Sequence, residues 1–209
     1  MTEPQLGPGT ADALLFDLGR VVIDIDFSKV LACWAAHAGC TPADLSKPFW
    51  QSEIFRRHET GHAGDAEFFE ALRTTLGIDL SDAQLLEGWN TIFAGEMPGI
   101  NALLARAARR LPLYAFSNTN PPHVAHFSKP YMDVLSHFRE IFLSCAIGLR
   151  KPDAAAYDHV IKAIGAPAER IVFFDDLVEN IEGARKRGLI AVHVTSPDDV
   201  ADALTALGL

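Results

Sequence analysis

Cysteine is scarce in this chain of 209 residues: Cys33, Cys40 and Cys145 are the only three. The count is odd and no pair has knuckle spacing. Neither a disulfide framework nor a structural zinc site is therefore expected, and a reducing cytoplasm suits the chain. Long apolar runs are missing too. None approaches the ~20 residues that span a bilayer, so no membrane partner is expected. Met1–Thr10 contains Pro4, Gly7, Pro8 and Gly9 but neither the basic start nor the apolar stretch of a signal peptide, and residues 1–12 read as a flexible tail. Basic residues are in deficit, with 18 Lys and Arg against 27 Asp and Glu, for a formal net charge of −9. A field of that sign opposes polyanions. Nucleic acid is thus a poor partner, and any anionic ligand needs a local reversal of charge. Oligomeric state leaves no mark in the sequence.

What is present is ordinary globular material. Hydrophobic residues make up 49% and charged residues 22%, which allows a packed core and excludes a disordered, collagen-like or coiled-coil chain. Short apolar runs at Ala13–Phe16, Leu113–Phe116, Ile141–Leu143, Ile171–Phe174 and Ile190–Val194 read as buried strands. Helical spacing lies between the later runs, at Ile100–Leu111, Ala154–Ile164, Val178–Arg187 and Asp198–Leu207. Strands alternating with helices predict an α/β fold, a parallel sheet covered on both faces. The stretch from Phe27 to Glu96 differs: breakers such as Gly39, Pro42, Pro48, Gly61 and Gly77 separate helical patterns at Val30–His37, Asp65–Leu76 and Asp82–Phe93, with no convincing strand. It reads as a helical lid over residues 27–96, inserted into a sheet domain formed by residues 13–26 and 97–209.

Ligands of open parallel sheets bind beyond the carboxyl ends of the strands, so the residues following each apolar run matter most. Asp17 follows the first run, Ser117 and Asn118 the second, and Asp175 and Asp176 the fourth; Lys151 lies in a turn soon after the third. Each type alone is common at caps and turns. Four strand ends delivering a carboxylate, a hydroxyl with an amide, an ammonium and a carboxylate pair point to a site. Asp17 and Asp176 suit one Mg²⁺, a hard cation that takes oxygen ligands and touches substrate phosphate oxygens. Ser117, Asn118 and Lys151 suit the remaining phosphoryl oxygens, with Asp17 attacking phosphorus to form an aspartyl-phosphate.

These segments resemble four ordered motifs of the haloacid dehalogenase-like hydrolase superfamily: Phe16-Asp17-Leu18-Gly19-Arg20-Val21-Val22, Phe116-Ser117-Asn118-Thr119, Arg150-Lys151-Pro152-Asp153, and Phe173-Phe174-Asp175-Asp176-Leu177-Val178-Glu179-Asn180. The resemblance covers Ala13 to Val194. It is strongest to bacterial α-D-glucose-1-phosphate phosphatases and to the phosphatase domain of soluble epoxide hydrolases. It implies a Rossmann-like core with a helical cap after the first strand, and a Mg²⁺-dependent phosphatase for a small phosphorylated metabolite, a sugar phosphate by likeness. Asp17 is then nucleophile and metal ligand, the Gly19 backbone carbonyl a second ligand, and Asp176 a direct ligand ahead of Asp175, with Asn180 in support. Ser117, Asn118 and Lys151 bind phosphate. The superfamily also contains haloacid dehalogenases, and a catalytically silent binding protein is a further alternative on the same fold. Two positions depart from the pattern. Gly19 stands where a general acid is usual, and Arg20 where the sugar-phosphatase subgroup has Asn.

Other signals weigh less. His58-Glu59-Thr60-Gly61-His62 matches the zinc-protease pattern, but Gly61 weakens the helix that pattern needs, and the segment reads as a helix end and turn, with His58 or Glu59 free to face the site. Asp24 and Asp26 read as a hinge or cap. His123 is a candidate for the missing acid. Trp34, Trp50 and Trp89 read as core.

Overall fold

A computed structural model describes residues 6–45, 49 and 52–209 of the chain; Pro48 and Trp50 lie outside the described residues. The chain opens with β1 (Ala13–Phe16) and β2 (Ile23–Ile25), followed by the helices α1 (Phe27–Ala38), α2 (Glu53–Glu59), α3 (Asp65–Leu76) and α4 (Asp82–Asn90). After β3 (Phe93–Glu96) and α5 (Ile100–Ala107), β4 (Leu113–Ser117) leads to α6 (Pro121–Phe127) and α7 (Met132–Leu135). Then come β5 (Glu140–Leu143), α8 (Ser144–Ile147), α9 (Ala154–Ile164), β6 (Ile171–Asp175), α10 (Val178–Lys186), β7 (Ile190–His193) and α11 (Pro197–Ala206).

Five strands form one parallel sheet in the order β5-β4-β1-β6-β7. Strand side chains alternate between faces, and both faces are dry. Leu14, Phe16, Val172 and Phe174 pack with Ile100, Leu104, Val200 and Leu204 of α5 and α11. Leu15, Phe173 and Ala191 pack on the opposite side with Tyr157, Val160 and Ile181 of α9 and α10. This two-sided burial is why the strands appear in the sequence as unbroken apolar runs.

The helical segment after β2 has its own core of Val30, Trp34, Phe68, Leu72, Leu85 and Trp89. Its helices have clear local causes. Asp26 caps α1 by accepting from the Ser28 N–H at 2.8 Å, as a cap reading of that aspartate expects, and Ser81 and Gln84 form a capping box on α4. Trp34 and Trp89 stack at 5.9 Å, and a Cβ on Gly88 would fall 2.2 Å from Trp34. Glycine at that position lets α1 and α4 approach.

Two expectations need correction. The lid segment is not all helix: β3 pairs antiparallel with β2 in a two-stranded ribbon, Ile23 opposite Glu96 and Ile25 opposite Phe93, with a register shift between Asp24 and Ile25. The fourth lid helix accordingly stops at Asn90, short of Phe93. Nor are residues 6–12 a loose tail. Thr10 N donates to the Gly7 carbonyl at 3.1 Å, Asp12 N donates to the Arg170 carbonyl at 2.8 Å, and the Asp12 carboxylate pairs with the Arg170 guanidinium. Ala11 is buried in the sheet core, with Leu6 packed against it.

Lid and core meet where the turn after α2 touches α8. The buried Ser144 hydroxyl donates to the Glu59 carbonyl at 2.6 Å and accepts from Thr119 N at 2.8 Å. Gly61, at φ +71°, lies so close that a Cβ would come within 2.4 Å of the Cys145 carbonyl oxygen. Gly61→Ala would thus carry both a left-handed backbone penalty of about 1–2 kcal/mol and a clash with main chain. Urea denaturation is expected to show a loss of at least about that size; unchanged stability would mean that lid and core are not held together here.

Candidate active site

Asp17 stands directly beyond the central strand β1, its N–H donating to the Phe174 carbonyl of β6 at 2.8 Å. Parallel registration of β1 with β4 and β6 sets the ends of the three strands side by side, bringing Ser117, Asp175 and Asp176 to the same edge. Lys151 reaches that edge from the turn before α9. Its ammonium sits 2.8 Å from Asp17 Oδ1 and 2.7 Å from Asp175 Oδ2, and the side chain is 1% exposed. The rings of Phe116 and Phe173 lie 5.3 and 5.4 Å from Nζ. A buried ammonium so placed depends on its two carboxylates. They outweigh burial and hold the Lys151 ammonium above its ordinary range.

The acidic side is in excess. One carboxylate oxygen from each of Asp17, Asp175 and Asp176 lies within 4.8 Å of the others, against the one ammonium of Lys151. Burial raises the Asp17 carboxyl, opposed by Lys151, and burial followed by the charge of Asp175 raises Asp176. Arg20, exposed and in the left-handed region at φ 58°, offers partial relief: its Nη1 is 3.8 Å from Asp176 Oδ2. Asn180 Oδ1 is buried beside them with no hydrogen-bond partner. A cluster of hard oxygen donors short of positive charge, with an orphaned acceptor at its margin, fits a divalent cation such as Mg²⁺.

Asp175 is set back from this opening. Its Oδ1 accepts from Leu177 N and Asn180 Nδ2, both at 2.9 Å, while Oδ2 takes Lys151. Asn180 is itself fixed by the Tyr157 hydroxyl, which donates to its carbonyl at 2.8 Å. Asn118, nominated as a phosphate contact, spends its side chain elsewhere. Nδ2 donates to the Lys151 carbonyl and Oδ1 accepts from Lys151 N, each at 2.9 Å, so the amide clamps the Lys151 turn to the end of β4.

A cavity of about 470 Å³ opens on this cluster, a size suited to a small organic ligand. Asp17, Gly19, Ser117 and Asn118 line it from the first two strand ends, and Lys151, Asp176 and Asn180 from the others. Seven of the eight nominated residues thus share one cavity, and Asp175 stands behind it. The family model for haloacid dehalogenase-like hydrolases matches residues 11–188, which takes in all eight. The chain belongs to that family.

Relatives of this hydrolase span more than one activity. Drimenol cyclase drtB of Aspergillus calidoustus is 29% identical over 202 residues, 92% of this chain but only 36% of that protein, so the chain spans about a third of that relative's length. D-ribitol-5-phosphate phosphatase of Bacteroides thetaiotaomicron is 26% identical across 90% of this chain and 93% of that one. A family enzyme from the same bacterium, solved in complex with magnesium and inorganic phosphate, superposes with a TM-score of 0.78 at 25% identity and covers 89% and 95% of the two chains. The chain is therefore an enzyme, a hydrolase with a phosphatase among its relatives of near-equal length.

The hydrolase's histidines do not supply what Gly19 lacks. His123 lines the cavity, but both ring nitrogens are engaged: Nε2 donates to the Trp89 carbonyl at 3.1 Å and Nδ1 accepts from Asn120 Nδ2 at 3.2 Å. Burial lowers it to about 3, the Trp89 bond opposing, so it stays neutral with its one N–H held by the Trp89 carbonyl. His58 is buried in the lid, 2.9 Å from Asp65 and stacked on Phe68, whereas His62 bonds to Thr60; the zinc-like pattern gathers no ligand set among the described residues. Glu59 does face the cavity. Its carboxylate lies 3.2 Å from Arg150, and burial pushes it up to about 7 against the pull of Arg150 and Lys151. Sequence reasoning overlooked Arg150 and the ribbon residues Ile23, Ile25 and Phe93 as parts of the cavity wall. Arg150's place beside Lys151 was the available signal.

Proposed function

We propose that the chain is a Mg²⁺-dependent phosphomonoesterase acting on a small phosphorylated metabolite through an aspartyl-phosphate on Asp17. The observation that carries this reading is the buried Asp17 carboxylate, held 2.8 Å from Lys151 and within 4.8 Å of the Asp176 carboxylate in the cavity. Asp17, Asp176 and the Gly19 carbonyl would hold the ion, which supplies the positive charge that lets a phosphate dianion approach these carboxylates.

An Asp17 oxygen forms the new bond to phosphorus as the bond from phosphorus to the alcohol oxygen breaks, and the departing oxygen takes a proton from the Glu59 carboxyl or from water. Water then attacks the phosphorus of the acyl phosphate, releasing inorganic phosphate and restoring Asp17. Lys151 holds the nucleophile and offers its ammonium to charge developing on the phosphoryl oxygens. Ser117 binds a phosphoryl oxygen at the end of β4. Asn118 fixes the Lys151 turn, and Asp175 with Asn180 fixes the Lys151 side chain. Gly19 contributes no acid. Glu59, whose carboxyl is held near 7, is the group on the lid side of the cavity able to carry a proton at neutral pH.

Treatment with EDTA is expected to remove hydrolysis of p-nitrophenyl phosphate, and added Mg²⁺ to restore it. Full activity in chelator, or release of halide from 2-haloacids without metal, would instead favour the dehalogenase reading.

A further inference from the structure

We infer that the alcohol half of the substrate is a hydrocarbon, so that the enzyme's substrate is the monophosphate of an apolar alcohol and not a sugar phosphate. The inference rests on the phosphatase reading and concerns the part of the cavity away from Asp17. That outer wall is made by Ile23 and Ile25 of β2, Phe93 of β3, Ile92 just before it, and Phe27 and Phe55 of the lid. Ile23 and Ile25 both line the cavity across the register shift of the ribbon, and Phe93 pairs across from Ile25. The ribbon therefore turns a greasy surface toward the bound molecule.

The polar groups of Asn120, His123, Trp89 and Thr119 are already committed to one another or to Ser144. Asn120 Oδ1 accepts from Trp89 Nε1 at 3.2 Å and from His123 N at 3.1 Å, and Asn120 Nδ2 donates to His123 Nδ1. His123 Nε2 is bonded to the Trp89 carbonyl, and Thr119 N to Ser144 Oγ. Glu59 and Arg150 form an ion pair at 3.2 Å, while Glu59 Oε2 and Arg150 Nε make no hydrogen bond. A sugar hydroxyl placed against Ile23, Ile25, Phe27, Phe55, Ile92 and Phe93 would lose water and find no polar side chain among them, lowering kcat/KM by roughly tenfold or more for each hydroxyl buried this way. A hydrocarbon loses nothing by leaving water and gains with every methylene buried. The rim agrees with the wall: Leu177 lines the same cavity yet is 43% exposed, an apolar side chain left at the mouth.

The test is a series of linear alkyl monophosphates from ethyl to octyl, assayed with Mg²⁺ beside a hexose phosphate, a pentitol phosphate and p-nitrophenyl phosphate. The expected result is a rise in kcat/KM of about fourfold per methylene until the cavity is filled, with both polyol phosphates below the longer alkyl phosphates. Ile25→Asn is expected to flatten that slope. Turnover of the aryl phosphate with no chain-length dependence, or with a polyol phosphate as the best substrate, would overturn the hydrocarbon inference and leave the phosphatase reading standing. No turnover of any phosphate would overturn both.

Discussion

Asp17→Asn is expected to lower hydrolysis of p-nitrophenyl phosphate by on the order of 10³-fold or more while the protein stays folded. The activity loss follows from position. Asp17 stands directly beyond the central strand, lines the cavity, and is the carboxylate shared by the Lys151 ammonium and the candidate cation cluster. An amide keeps the shape of the side chain but is a poor nucleophile toward phosphorus. Retention of the fold follows from the pairing, since Lys151 keeps its second carboxylate, Asp175, 2.7 Å away in the parent. The substitution also removes one negative charge from a crowded group. Steady-state rates together with a thermal melt check both halves. A variant that melts like the parent and turns over at a comparable rate would remove Asp17 from the nucleophile's role.

The sheet and its polar edge were legible because the physics that places them is local in sequence. Strands buried on both faces need unbroken apolar runs, and the residue after each run must stand at the sheet's carboxyl edge; Asp17 after Phe16 and Asp175 after Phe174 follow that rule. Asp65–Leu76 and Ala154–Ile164 were readable to the residue because a cap or proline opens them and glycine closes them. The ribbon was not. Three residues of β2 and four of β3, one of them Gly95, are too few for alternation to register, and their pairing spans the whole lid. The docking of residues 6–12 depends on Arg170, a partner 158 positions from Asp12. Asn118 shows a different limit. The sequence announces an amide at the sheet's carboxyl edge, but only the fold reveals that both ends of it are used on the Lys151 backbone.

Lys151→Met isolates the other half of the charge arrangement. Methionine preserves much of the stem's length and volume between the Phe116 and Phe173 rings, so the main loss is the ammonium itself. Asp17 and Asp175 would then be buried with no cation within reach, and removing one partner of a buried ion pair costs about 3–5 kcal/mol. For a chain of this length that corresponds to a fall in Tm of roughly 6–20 °C in metal-free buffer. Activity is expected to fall with it, since the ammonium faces the nucleophile. Mg²⁺ should recover part of the stability. A divalent cation on Asp17 and Asp176 supplies positive charge to the same buried cluster, so the rise in Tm on adding Mg²⁺ should be larger in the variant than in the parent. Melts of both proteins in EDTA and in saturating Mg²⁺ measure this directly. Equal Mg²⁺ shifts, or a metal-free variant as stable as the parent, would show that Lys151 and the cation do not compensate the same carboxylates, and the electrostatic account of the site would fail with that result.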